Sequence, residues 1–154
     1  MADCTIGVIS DTHGVLRPEA VVALGGSDLI LHAGDIGASD ILDRLRQIAP
    51  VVAVRGNVDR SPWYQDLRDR EVAVCGGVHI YLLHSLADLD LDPAAAGFRA
   101  VVYGHSHKAA QATRKGVLYF NPGSAGPRRF TLPVSLGRLH IHEGAITGEV
   151  VTLG

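Results

Sequence analysis

The sequence is poor in the residues that mark several common classes of protein. Its 154 residues include two cysteines, Cys4 and Cys75, too few for a disulfide framework, and neither stands in a Cys-x-x-Cys pair. Both lie in apolar runs and are expected to be core residues. Basic residues are in slight deficit, 14 Lys and Arg against 16 Asp and Glu, so the broad positive face of a nucleic-acid binder is not expected. No uninterrupted apolar run approaches the roughly 18 residues that a membrane span requires. The opening MADCTIG lacks a basic region followed by an apolar stretch, so no secretory signal is read there. A cytoplasmic protein of a reducing compartment is the expectation. With no repeat, low-complexity tract or linker, a single domain over residues 1–154 is expected.

Hydrophobic residues make up 47% of the chain, enough to bury a sizeable core. Against three Phe and one Trp there are eight histidines, and most of them stand beside glycine or aspartate where an apolar run ends. That placement directs attention to the ends of the runs.

The first run, Thr5 to Ile9, is short and β-branched and closes in the polar turn Ser10-Asp11-Thr12-His13-Gly14, which predicts a buried strand. Pro18 suits the first turn of a helix through Leu24, stopped by Gly25-Gly26. Leu29 to Leu31 predicts a second strand ending at Gly34-Asp35. A helix follows, with Ser39 or Asp40 as cap, Ile41, Leu45 and Ile48 on one face, and Pro50 as its stop. Val51 to Val54 predicts a third strand ending at Gly56-Asn57. Three such units in succession predict parallel pairing, because parallel neighbours need long crossovers.

From Asp59 to Arg70 a loop with at most a short helix is expected. Val72 to Cys75 and Val78 to Leu83, separated by Gly76-Gly77, predict a hairpin. A connection with a short helix after Pro93 leads to a strand at Val101 to Tyr103, then Gly104-His105-Ser106-His107. The remainder is turn-punctuated β structure, with a last hairpin turning at Glu143-Gly144. Apolar alternation changes phase between Leu136 and Leu139, which predicts a bulge near Gly137.

Five strand ends carry candidate ligands: Asp11 with His13, Asp35, Asn57, His84, and His105 with His107. In α/β sheets the loops at the carboxyl ends of parallel strands converge on one crevice. Gathered there, the seven side chains offer two carboxylates, one amide and four imidazoles. That donor set suits divalent transition ions, and the lack of cysteine argues against a closed structural zinc site. A second His-x-His pair, His140-Ile141-His142, alternates with Leu139 and Ile141 and reads as a solvated strand face. His32 reads as a packed or supporting histidine, and His79 as structural.

The ordered set D-x-H at Asp11/His13, G-D at Asp35, G-N-x-D at Gly56 to Asp59, His84 and G-H-x-H at Gly104 to His107 resembles the calcineurin-like metallophosphoesterases. Length and the tail Asn121-Pro122-Gly123-Ser124 look most like the compact bacterial and archaeal phosphodiesterase branch. The resemblance implies an α/β fold, a four-layer αββα sandwich of two mixed β-sheets flanked by helices. It implies two divalent ions, manganese first, with nickel, iron, zinc or magnesium as alternatives. One ion would be held by Asp11, His13 and His107. Asp35 would bridge to a second, held by Asn57, His84 and His105. Two cations sharing a water give hydroxide at neutral pH for in-line attack on phosphorus. Asp35, Asn57 and His84 would then stand at the reacting centre, and Asn57, Ser124 and Arg128 are candidate substrate contacts. The histidines must be neutral to bind, so occupancy should fall at acid pH.

The chain departs from the family pattern twice. Many members have a histidine after the Asn, thought to protonate the leaving group, where this chain has Val58. The compact branch lacks it too, so Val58 agrees with that branch and favours diesters and activated leaving groups. The strand-end histidine is usually followed by glycine, and here by Ser85. The expected activity is a phosphodiesterase acting on a small phosphate ester. A phosphomonoesterase of the same fold and a non-catalytic scaffold, like the related retromer subunit, are the alternatives. A homo-oligomer is possible through a sheet edge.

Overall fold

Apolar alternation along the strands sets the layers. The structure, a computed structural model, describes residues 3–57, 59, 62–129 and 131–153. Val58, on which the preference for diesters rests, lies outside the described residues.

The first sheet contains β1 (Cys4–Ile9), β2 (Leu29–His32), β3 (Val51–Ala53), β9 (Ser135–His142) and β10 (Ala145–Thr152), in the order β10-β9-β1-β2-β3. β1, β2 and β3 run parallel, as their long crossovers predict, while β9 and β10 add antiparallel. The second sheet is built from β4 (Arg70–Cys75), β5 (Val78–Leu83), β6 (Ala100–Val102), β7 (Ala110–Arg114) and β8 (Val117–Asn121), in the order β4-β5-β6-β8-β7. β5, β6 and β8 are parallel, and β4 and β7 close the edges antiparallel.

Alternate residues divide between two cores. Ile6, Val8 and Leu31 of the first sheet meet Ile80, Leu82, Val102 and Phe120 of the second in the layer between the sheets. Ile9 and Ile30 face the other way, under α1 (Pro18–Leu24) and α2 (Ser39–Arg46) through Leu24, Ile41 and Leu45. The outer face of the second sheet is covered more thinly. A 3-10 turn at Leu86–Asp88 and turns at 93–97 stand there, and Leu86, Leu89, Leu91 and Phe98 pack on Tyr81, Leu83 and Val101. The helix expected after Pro93 is therefore a single unpropagated turn, closed by bonds such as Ala96 N–H to the Asp92 carbonyl at 3.0 Å.

Three further expectations are corrected. α2 is capped at Ala38 without a side-chain bond, so neither Ser39 nor Asp40 is its cap. Pairing of β9 with both neighbours is continuous from Gly137 to Ile141, so there is no bulge near Gly137. Leu136 and Leu139 are both fully buried, one in each core. A strand buried on both faces shifts its apolar phase without inserting a residue. The third correction concerns the cysteines. Cys4 on β1 and Cys75 on β4 form a disulfide that ties the two sheets together, with Cα atoms 6.1 Å apart, a separation that bridging accommodates.

The hairpin turns at Gly76-Gly77, Lys115-Gly116 and Glu143-Gly144 lie at one rim of the sandwich. The carboxyl ends of β1, β2, β3, β5, β6 and β8 lie at the other. No helix among the described residues is long and apolar enough to cross a membrane.

Candidate metal centre

Five of the strands that stop at the second rim, β1, β2, β3, β5 and β6, hand the chain to a loop carrying one or two of the seven candidate side chains. Asp11, His13 and His107 converge with one ligand atom each within 4.8 Å of the others, and so do Asp35, His84 and His105. The Nε2 atoms of His13 and His107 face each other at 3.3 Å, and His84 Nε2 lies 3.3 Å from His105 Nδ1. Asn57 joins the second group, its amide nitrogen 3.3 Å from His105 Nδ1. Asp35 touches both groups: its Oδ2 is 3.2 Å from His84 Nε2 and 3.8 Å from His13 Nε2. These are the two sets, with Asp35 between them, that the family resemblance implies.

Backbone geometry aims the side chains. Asp11, His13, Asp35, His105 and His107 all adopt φ between 47° and 74°, a left-handed conformation that is uncommon for residues with a Cβ. Such backbone is held only where surrounding bonds over-determine it. Here Asp11 N–H donates to the Gly34 carbonyl at 3.0 Å and His13 N–H to the Asp35 carbonyl at 2.9 Å. Gly56 is required by close approach, since a methyl group there would overlap the Asp35 carboxylate. At Gly104 it would overlap the Ser10 hydroxyl beside Asp11.

A buried carboxylate oxygen without a partner supplies the test of fit. Asp11 is fully buried; its Oδ2 accepts from Ser10 Oγ at 2.7 Å and from His105 N–H at 3.1 Å. Among the described residues its Oδ1 accepts no hydrogen bond but lies 3.5 Å from His107 Nε2, 3.8 Å from His13 Nε2 and 4.0 Å from His84 Nε2. Buried oxygens are rarely left so, and three imidazole nitrogens around one such oxygen form a donor set that fits a cation. His84 is oriented for the same purpose, because its Nδ1–H donates to the Ala33 carbonyl at 2.7 Å and turns Nε2 towards Asp35 Oδ2, where it would face a cation.

Burial, the largest influence, raises the Asp11 pKa above the usual carboxylate range, against the Ser10 bond and the imidazoles. Burial lowers that of His107, helped by the positive charges of Arg129 and His13 and opposed by Asp11. For His84 burial is again the largest single influence and acts downward. The bonds to Asp35 and Ala33 with the nearby carboxylates outweigh it, and its pKa is raised.

A buried network behind the ligands holds the loops together. His32 is fully buried, with Nε2 at 3.0 Å from Thr12 Oγ1 and Nδ1 accepting from Gly34 N–H at 3.1 Å. Thr12 Oγ1 donates to the Ile36 carbonyl at 2.8 Å, so His32 Nε2 carries the proton and the ring is neutral. Burial, reinforced by His84, pushes its pKa down to about 3. Asn121, also fully buried, donates to the Gly104 carbonyl and Ser106 Oγ at 3.1 Å each and braces the Gly104–His107 loop.

The two remaining candidate substrate contacts differ in exposure. Ser124 is 5% exposed and its hydroxyl donates to the Asp11 carbonyl at 3.1 Å, so it faces the loop interior. Arg128 is exposed, and it is its neighbour Arg129 whose charge acts on His107. His140 and His142 are exposed on β9 and His79 is exposed on β5.

Asp59 is the residue whose part sequence reasoning missed. Its buried carboxylate accepts from Ile36 N–H at 3.0 Å, Gly37 N–H at 3.0 Å and Gly56 N–H at 2.9 Å. One side chain thus clasps the Asp35 loop to the Asn57 loop. Its place as the last residue of G-N-x-D was the available signal.

The model of the calcineurin-like phosphoesterase superfamily domain matches residues 4–144. A probable metallophosphoesterase from Methanothermobacter thermautotrophicus is 34% identical over 160 residues, covering 97% of this chain and 92% of its own. The phosphodiesterase YfcE of Escherichia coli is 27% identical, covering 84% of each chain. Among solved structures, wild-type Vps29 of Entamoeba histolytica complexed with zinc shares the fold, with a TM-score of 0.71 at 22% identity over 97% of this chain and 99% of that one. With a domain model spanning most of its length and a relative of this identity, the chain belongs to the calcineurin-like phosphoesterase superfamily.

Proposed function

We propose that the protein is a phosphodiesterase dependent on two divalent ions, acting on a small phosphate ester. The observation that carries this reading is Asp11 Oδ1, buried, without a hydrogen bond among the described residues, and ringed by the Nε2 atoms of His107, His13 and His84. Asp11, His13 and His107 would hold one ion, Asn57, His84 and His105 the other, with Asp35 shared. A pair of such ions supplies Lewis-acid activation of water and neutralises charge on phosphoryl oxygens. Manganese is the ion we favour, and imidazole with carboxylate also admits nickel, iron, zinc and magnesium.

The chain's own residues supply position and access. Asp11, Asp35, His84 and His107 are buried, whereas Asn57 and His105 are exposed, so an ester approaches from the Asn57 and His105 side. Asn57 brings a neutral amide where a third carboxylate would repel an anionic ester. Asp59 and His32 keep the loops in register from behind.

The test is hydrolysis of bis(4-nitrophenyl) phosphate with each of the five metals. Turnover is expected with manganese, and a loss of about 100-fold or more in Asp35→Ala and Asn57→Ala. No turnover with any metal would favour the scaffold alternative, and activity persisting in Asp35→Ala would point to a contaminant. Strong preference for 4-nitrophenyl phosphate over the diester would assign the chain as a monoesterase.

A further inference from the structure

Beside the second ligand group, on its exposed side, lies a cleft of about 280 Å³ whose floor is Asn57 and His84. Its walls are Arg55, Asp69, Arg70 and Asp88. Leu83 is the one apolar side chain among its described lining residues. Arg55 forks onto Asp69, with Nε to Oδ1 at 2.6 Å and Nη2 to Oδ2 at 3.3 Å. Arg70 is held by its Nη2 on the Asp88 carbonyl at 2.8 Å. Its described lining is thus strongly polar and balanced in charge, two guanidinium groups against two carboxylates.

That balance discriminates among ester arms. A second phosphate would meet Asp69 and Asp88 as well as the arginines. An aryl or alkyl arm would strip water from four charged groups and find, among the described lining residues, only Leu83 to replace it. Among its described lining residues there is no aromatic side chain to stack on a nucleobase. A hydroxyl group, in contrast, donates to a carboxylate and accepts from a guanidinium at once. A cleft of this volume lies at the small end for ligand sites and suits one sugar ring or short polyol.

We propose that this cleft seats the alcohol arm of the ester, and that the substrate class is a phosphodiester bearing a sugar or polyol. The assignment rests on the reading that the ligand groups hold the phosphoryl group.

Calorimetric titration of the manganese-loaded protein tests it without turnover. Glucose 1-phosphate and cyclohexyl phosphate match in size and differ in ring hydroxyls. Glucose 1-phosphate is expected to bind about fivefold or more tightly, the equivalent of one or two net hydrogen bonds. Arg70→Gln and Asp69→Asn, two changes at an exposed rim, are each expected to bring that ratio towards one. A ratio of one or less in the wild type overturns the proposal, as does no binding of glucose 1-phosphate at millimolar concentration. Tighter binding of propane-1,3-diol bisphosphate than of either, lost in Arg70→Gln, overturns it in favour of a second-anion site. Should aryl diesters resist hydrolysis while glucose 1-phosphate is still preferred, the hydrolase reading fails and the cleft's assignment stands.

Discussion

Asp59 shows how far a single side chain determines the site without belonging to either ligand group. Its carboxylate satisfies three backbone N–H groups on two loops. Asparagine keeps one oxygen and turns an N–H donor towards the remaining N–H groups. A buried donor left unsatisfied costs about 1–3 kcal/mol, so Asp59→Asn is expected to lower the melting temperature of metal-free protein by about 2–4 °C per kcal/mol. It should also weaken manganese binding in calorimetry, because the Asp35 and Asn57 loops then drift apart. His32 gives a pH signature. Its folded pKa is about 3 against an ordinary 6.5, so the unfolded chain takes up the proton first. Its contribution is complete above about 6.5 and is lost as pH falls towards 3, at up to about 1.4 kcal/mol per pH unit. His32→Gln, which retains the bond to Thr12, should flatten the melting temperature against pH in that window, and an unchanged slope would contradict the assignment. The ligand residues were legible because each stands just past the end of an apolar run, with Asp35, Asn57 and His105 directly after a glycine. The inward turn of Ser124 was not, since its partner is a backbone carbonyl 113 residues away in sequence.

Among the elements, β9 separates what periodicity conveys from what it conceals. β1, β2 and β3 were legible as short β-branched runs ended by turn residues. β9 carries apolar residues on both faces because the sheets bury one and the helices the other, and a single sequence does not distinguish that from a bulge. The glycine at 137 has a different origin. A methyl group there would strike the Phe120 ring, which also lies over Gly148. Overpacking of this kind costs about 1–3 kcal/mol, so Gly137→Ala should destabilise the chain in urea by that amount. Phe120→Leu should recover part of the loss in the double variant, a coupling that independent sites do not show.

For the whole molecule, the covalent link between the sheets was the least legible feature. Cys4 and Cys75 are 71 residues apart, and only the packing of the two sheets on each other makes them neighbours. Expected as core residues, they do lie in the inter-sheet core and also close a long loop, for which the chain-entropy model assigns about 4 kcal/mol. Cys4→Ser with Cys75→Ser should lose stability of that order in guanidinium, and mass spectrometry of unreduced protein should find two hydrogens fewer than in the reduced chain. Manganese affinity should be unaffected, because the bridge sits at the rim that carries the hairpin turns.

That rim has a practical side. Gly76-Gly77, Lys115-Gly116 and Glu143-Gly144 are all about one strand length, ~20 Å, from the ligand loops. A fluorescent reporter, an affinity handle or a grafted peptide placed at any of the three would leave the opposite mouth unobstructed. The protein can therefore be immobilised by its base and assayed in place.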